Sequence, residues 1–136
     1  MPKKWVVNAS PLIILGKIGL LELLPSLAEE LVIPEGVKAE IEAGPFDDPA
    51  HRWLIDSGKR FVRNVGPIEP TVLYWDLGRG ETEVLSWAHH NPEFEAILDD
   101  QAARRCALSL GINIQRIYPF NPWNSIKIFI RRKEIF

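Results

Sequence analysis

Three places in this sequence set an oxygen-bearing side chain where the chain is expected to turn from a strand end into a helix. Asn8 follows the apolar run Trp5-Val6-Val7. Glu81 follows the small turn Gly78-Arg79-Gly80. Asp99 and Asp100 follow Ala96-Ile97-Leu98. In an open α/β sheet, ligands bind outside the carboxyl ends of the strands. Oxygen ligands gathered there suit Mg²⁺ or Mn²⁺. Such a cation activates a water for in-line attack on a phosphodiester and stabilises the leaving oxygen, and two cations about 4 Å apart divide these roles. Asn8 is the anomaly, because an amide oxygen ligates without contributing charge.

A fourth acid, Glu40, falls at helical spacing with Ile33, Val37 and Ile41. It is therefore expected on the core-facing stripe of its helix, where a buried acid needs a metal or a basic partner. Gathered carboxylates repel one another, and a divalent cation relieves that repulsion. Each residue also has a plainer reading. Glu81 is a first-turn acid favoured by the helix dipole. Either Asp99 or Asp100 serves as a helix N-cap. The joint pattern of Asn8, Glu40, Glu81 and Asp99 is more specific than any member.

Arg79, Arg104, Arg105, Lys17 and Lys38 are candidates to hold phosphates, against the ordinary alternative of solvated surface charge. His89 and His90 fall at a helix C-terminus, where cations are favoured, and are not expected as ligands. Trp53, Trp75 and Trp87 are either core anchors or platforms for bases.

The elements that must position these residues follow from local signals. Trp5–Val7 reads as a buried strand. Ser10 and Pro11 supply N-cap and first-turn residues for a helix ending near Gly19. Residues 20–27 read as a short helical piece interrupted at Pro25. Residues 30–33 form a strand, and Pro34 opens a helix stopped by Gly44-Pro45. A helix over 49–57, a strand over 60–65 and a loop over 66–70 follow. Gly78-Arg79-Gly80 reads as a flexible turn before a helix over 81–90. A strand over 96–98 and a helix over 100–110 complete the pattern. Alternating strands and helices predict a parallel sheet covered on both faces, an α/β/α arrangement.

The chain has 136 residues, 46% hydrophobic and 25% charged, which suits one soluble domain. Net charge is −2, so no global basic field advertises nucleic acid. The single cysteine, Cys106, excludes an internal disulfide and a cysteine-based zinc site. No signal peptide or membrane span is evident, so a cytoplasmic location is expected.

Residues 113–136 depart from this composition. They contain no Ala, Val, Leu or Gly, but six Ile, three Asn and three Phe. Five basic residues against Glu134 give them +4, leaving −6 on residues 1–112. Residues 1–112 are thus expected to form the main domain and 113–136 a divergent C-terminal segment of it. That segment is either a foreign or frame-shifted tail or an ordinary strand with a basic edge element.

Taken together, the pieces Val6-Val7-Asn8-Ala9-Ser10-Pro11-Leu12-Ile13, Val32-Ile33-Pro34 through Glu40-Ile41, Leu77-Gly78-Arg79-Gly80-Glu81-Thr82-Glu83 and Leu98-Asp99-Asp100 through Arg105 resemble the PIN-domain family. In particular, they resemble the small prokaryotic members related to VapC-type toxins. The resemblance spans residues 5–112. It implies a Mg²⁺- or Mn²⁺-dependent endoribonuclease, commonly a homodimer and commonly paired with an antitoxin protein. It carries the family's acids onto Asn8, Glu40, Glu81 and Asp99, with Asp100 the alternative for the last. Two departures stand out: Asn8 occupies a position normally Asp, and the sequence after Ile112 does not match the strand, Gly-rich turn and final helix with which relatives continue. The expected function is a toxin-type ribonuclease impaired by Asn8 and the altered tail. The alternative is an inactive PIN-like protein that binds an antitoxin or dimerises. The acidic motifs of phosphotransfer receivers and haloacid-dehalogenase-like phosphatases are absent, as is a P-loop.

Overall fold

A computed structural model describes residues 3–115. Five strands form one parallel sheet in the order β3-β2-β1-β4-β5. The strands are β1 (Lys4–Val7), β2 (Glu30–Pro34), β3 (Val62–Arg63), β4 (Phe94–Ile97) and β5 (Ile114–Gln115). The helices are α1 (Ala9–Lys17), α2 (Leu23–Leu27), α3 (Glu35–Glu42), α4 (Pro49–Ile55), α5 (Pro70–Leu73), α6 (Arg79–His90) and α7 (Gln101–Ser109). The expected three-layer α/β/α arrangement is what the chain adopts.

The strand order decides where chemistry can occur. Connections from β1 run outward to β2 and β3, whereas α6 and α7 lead to β4 and β5 on the other side. Right-handed crossovers then send the two groups of helices to opposite faces. Contacts agree: α1 packs on α4, while α6 packs on β1, β2, β4 and α7. The order reverses between β1 and β4. Trp5 pairs with Glu95 and Val7 with Ile97 in parallel register. Beyond the last pair, the Asn8 amide N–H donates to the Ile97 carbonyl at 3.0 Å.

Strands β1, β2 and β4 are buried nearly throughout, as a sheet covered on both faces requires. Trp5, Val6, Ile33, Ile97 and Leu98 fill the centre with Leu12, Leu15, Leu54 and Leu85 from the helices. One polar group crosses this core. The Trp5 indole N–H donates to the buried Glu95 carboxylate at 3.2 Å, and the buried Gln115 amide approaches it at 3.4 Å.

Several local expectations change. α1 begins at Ala9 with Asn8 as its N-cap, so Ser10 lies inside the first turn and Pro11 is its third residue. Pro25 does not interrupt α2; it sits in the first turn, where its missing N–H costs nothing. Only residues 62–63 of the expected strand over 60–65 pair with β2, because a 3₁₀ turn takes up Gly58–Phe61. The loop over 66–70 ends in an unforeseen helix, α5. Arg79 and Gly80 belong to α6, whose N-cap is Gly78. The expected boundary at 112 falls just before β5, whose pairing with β4 adds residues 114–115 to the sheet. The rest of the divergent segment, 116–136, lies outside the described residues.

The buried acid of α6 is Glu83, which the sequence reading passed over. Its carboxylate accepts from the Gly36 N–H of α3 at 2.8 Å and from Arg79 Nε at 2.8 Å. It therefore caps the free end of α3 with opposite charge. A Cβ on Gly36 would lie 2.9 Å from the Glu83 carboxyl, so a side chain there would push the capping carboxylate aside. Removing the carboxylate strands a buried N–H. Glu83→Ala is expected to destabilise the fold by about 2–3 kcal/mol, read as a lower urea midpoint at unchanged m-value. An unchanged midpoint would refute this capping role.

Candidate functional site

Asn8 follows β1 and Asp99 follows β4, one on each side of the strand-order reversal. This is the crevice where doubly wound sheets bind ligands. Asn8 is 2% exposed, yet its Oδ1 has no hydrogen-bond partner. Its side chain makes no capping bond to α1. A buried carbonyl oxygen left unsatisfied costs free energy, so without a protein partner this atom is open to a water or another ligand.

Gly80 shows what surrounds it. A Cβ there would sit 3.1 Å from Asn8 Oδ1 and 3.1 Å from Glu40 Oε1. The two oxygens are thus no farther apart than twice that distance. Any side chain at Gly80 would occupy the space between them. Glu81 Oε2 lies 2.8 Å from the Cβ position on Gly78, folded back over the helix start. Glu81 also acts on Glu40 electrostatically: burial first, and the Glu81 charge second, push the Glu40 carboxyl up from its ordinary value. Asn8, Glu40 and Glu81 therefore share one cleft over the α6 N-terminus.

The structure places the remaining predicted residues less uniformly. Glu40 is exposed as a residue, not core-facing; Val37 and Ile41 carry the buried stripe and Glu40 flanks it, with its tip at Gly80. Glu81 is half-buried in the first turn of α6. Asp99 is half-buried at the end of β4. Asp100 caps α7, accepting from the Ala103 N–H at 2.8 Å, so its plainer reading is the observed one. Among the described residues, no group of three or more His, Cys, Asp or Glu is gathered to hold a metal. The oxygens that do converge include an amide.

Of the basic candidates, Arg79 is tied to Glu83 and Lys38 to Glu42, each four residues on. Lys17 and Arg105 are exposed. Arg104 is half-buried, and its Nε is buried without a partner one turn into α7. Trp53 is a core anchor whose indole N–H reaches Glu22 at 2.8 Å, and Trp87 packs edge-on against Phe94. His89 and His90 flank Glu69, at 3.7 and 3.1 Å. The His90 hydrogen bond holds the Glu69 carboxyl below its usual range. Cys106 is buried, and burial pushes its thiol up, so it is no nucleophile.

Residues 4–117 match a family described as PIN domain. The chain belongs to the PIN-domain family. No curated protein matches it. The PIN match runs past the composition break at 113 and takes in β5, so the break is not where the likeness to the family ends. Among the described residues, no helix of this PIN domain is long and apolar enough to cross a membrane.

The raised Glu40 carboxyl gives a pH signature. A carboxyl whose folded value exceeds its unfolded value contributes full stability below the unfolded value and loses it as pH rises through the higher folded value. Glu40→Gln removes the loss. The metal-free variant is expected to be more stable than the parent at neutral pH, by less than about 1 kcal/mol because solvent screens an exposed site. The gain should vanish at pH 4. Thermal unfolding with a chelator present checks it; an equal gain at both pH values would refute the electrostatic cause.

Proposed function

We propose that this PIN domain is a divalent-cation-dependent endoribonuclease, the toxin component of a toxin–antitoxin pair, with metal affinity lowered by Asn8. The observation that carries the reading is the buried, unpartnered Asn8 Oδ1 beside Glu40 Oε1 at Gly80. Two repelling acids and an orphaned amide oxygen fit a hard cation, which removes repulsion and satisfies the amide together.

In this reading, Asn8, Glu40, Glu81 and Asp99 hold Mg²⁺ or Mn²⁺. The chemistry a bound ion supplies is activation of water and neutralisation of charge at the phosphodiester. The chain's own residues do the rest. The carboxylates orient the attacking water by accepting its hydrogen bonds. Arg104 and Arg105 on the first turns of α7 draw the RNA backbone to the strand ends. The neutral amide of Asn8 keeps the site's charge one unit short of a full set of acids, and ligand charge sets affinity in hard-ion sites. The functional unit is a cytoplasmic homodimer that an antitoxin protein covers.

Asn8 also favours a second reading, an inactive PIN-domain protein kept for antitoxin binding or dimerisation. One experiment separates the two. Mn²⁺ titration by calorimetry is run on the parent chain and Asn8→Asp, each then incubated with mixed RNA. Binding and cleavage by the parent, lost in Glu81→Ala, is the expected result. Asn8→Asp should bind the ion about tenfold tighter or better. Cleavage confined to Asn8→Asp would make the natural chain a disabled enzyme. No binding and no cleavage by either would sink the nuclease reading.

A further inference from the structure

The turn between α5 and α6 exposes three large apolar side chains in a row. Leu73 is 59% exposed, Tyr74 88% and Trp75 37%. Burying such rings would stabilise the fold, so their exposure asks for another reason. Trp5 and Trp53 are in the core and Trp87 is packed on Phe94. Among the described residues, Trp75 is the tryptophan left open to solvent.

The turn is firmly mounted. Val72 is fully buried, and the Glu69 N–H donates to Ser86 Oγ at 2.9 Å in the body of α6. The Val72, Trp75 and Asp76 amides each close a tight turn onto the carbonyl three residues back, at 3.0–3.1 Å. Asp76 takes φ +51, a left-handed conformation that costs energy outside glycine. Thr82 Oγ1 donates to the Gly78 carbonyl at 2.8 Å and fixes the exit. The rings therefore project from a braced support and lose little freedom when something packs on them.

Their position is close to the cleft. Gly78, against which Glu81 folds its carboxylate, is three residues from Trp75. Three residues span at most about 10 Å. The apolar stretch is short and is bordered in sequence by Thr71 and Asp76. Base stacking needs only open ring faces and no net charge, and it tolerates any base.

We propose that Tyr74 and Trp75 form a stacking platform that receives unpaired RNA bases beside the Asn8–Glu40–Glu81 cleft. This rests on RNA being the substrate. The platform binds bases rather than phosphates, so its contribution is nearly independent of salt. It also selects single-stranded over duplex RNA, because paired bases have no free faces.

The test measures fluorescence anisotropy of a short labelled single-stranded RNA with the full chain, in chelator to prevent cleavage. The Tyr74→Ala/Trp75→Ala variant should bind about tenfold or more weakly, whereas Tyr74→Phe/Trp75→Phe should stay close to the parent. An oligonucleotide of abasic units should bind parent and alanine variant alike. Circular dichroism and sedimentation velocity confirm that fold and oligomeric state are retained. If the parent binds RNA and the alanine variant binds it equally well, the platform is overturned while the nuclease reading stands. If RNA affinity holds but the alanine variant changes oligomeric state, the rings are a protein contact and the platform is again overturned. A parent that binds no RNA also overturns the platform, whereas the nuclease reading is decided by the Mn²⁺ titration and cleavage assay.

Discussion

Everything at the candidate site depends on the parallel pairing of β1 with β4. These neighbours in space are far apart in sequence, and their register sets Asn8 and the Leu98–Asp99 step at the same end of the sheet. The hydrogen bond from Asn8 N–H to Ile97 carbonyl extends that pairing one residue beyond the strands. The strand order turns at this seam, so connecting helices diverge to opposite faces and leave a crevice. α3 and α6 then close over it, joined by the Glu83 carboxylate at the Gly36 amide. Glycines at 36, 78 and 80 are the places where side chains are omitted so that carboxylates and backbone can crowd together.

Much of this was legible in the sequence. Apolar runs such as Trp5–Val7 and Leu31–Ile33 and the periodic helix over 101–109 have the composition of a sheet covered on both faces. The acids at strand ends follow from the same pattern. What escaped notice depended on tertiary partners. Glu83 looks like an ordinary helix acid until Gly36 approaches it from another element. Glu40 sits near enough to the apolar stripe of α3 to read as core, because helical spacing alone does not say where the neighbouring helix stops. The first turn of α6 was hidden by glycines, whose weak helix propensity is overridden by the need for close approach. β5 was obscured by a change of composition that the sheet ignores.

Asn8 changes the balance at the site in two directions. An Asp there would add a third negative charge beside Glu40 and Glu81, and the unliganded fold would carry that repulsion. The amide spares the fold this cost, while its unpaired oxygen forfeits one hydrogen bond. In the unliganded fold the amide thus exchanges a third charge for one unmade hydrogen bond.

The strand order also has a consequence for how the chain is made. β1 leaves the ribosome before the other four strands and lies at the centre of the finished sheet. One edge meets β2 soon afterward, but its other neighbour, as the Trp5–Glu95 pair shows, lies ninety positions downstream. Until β4 leaves the ribosome, the nascent chain carries an open, largely apolar strand edge, a feature prone to wrong pairing. The crevice that would do the chemistry cannot exist in that interval. The seam between β1 and β4 is therefore among the last features of the sheet to form.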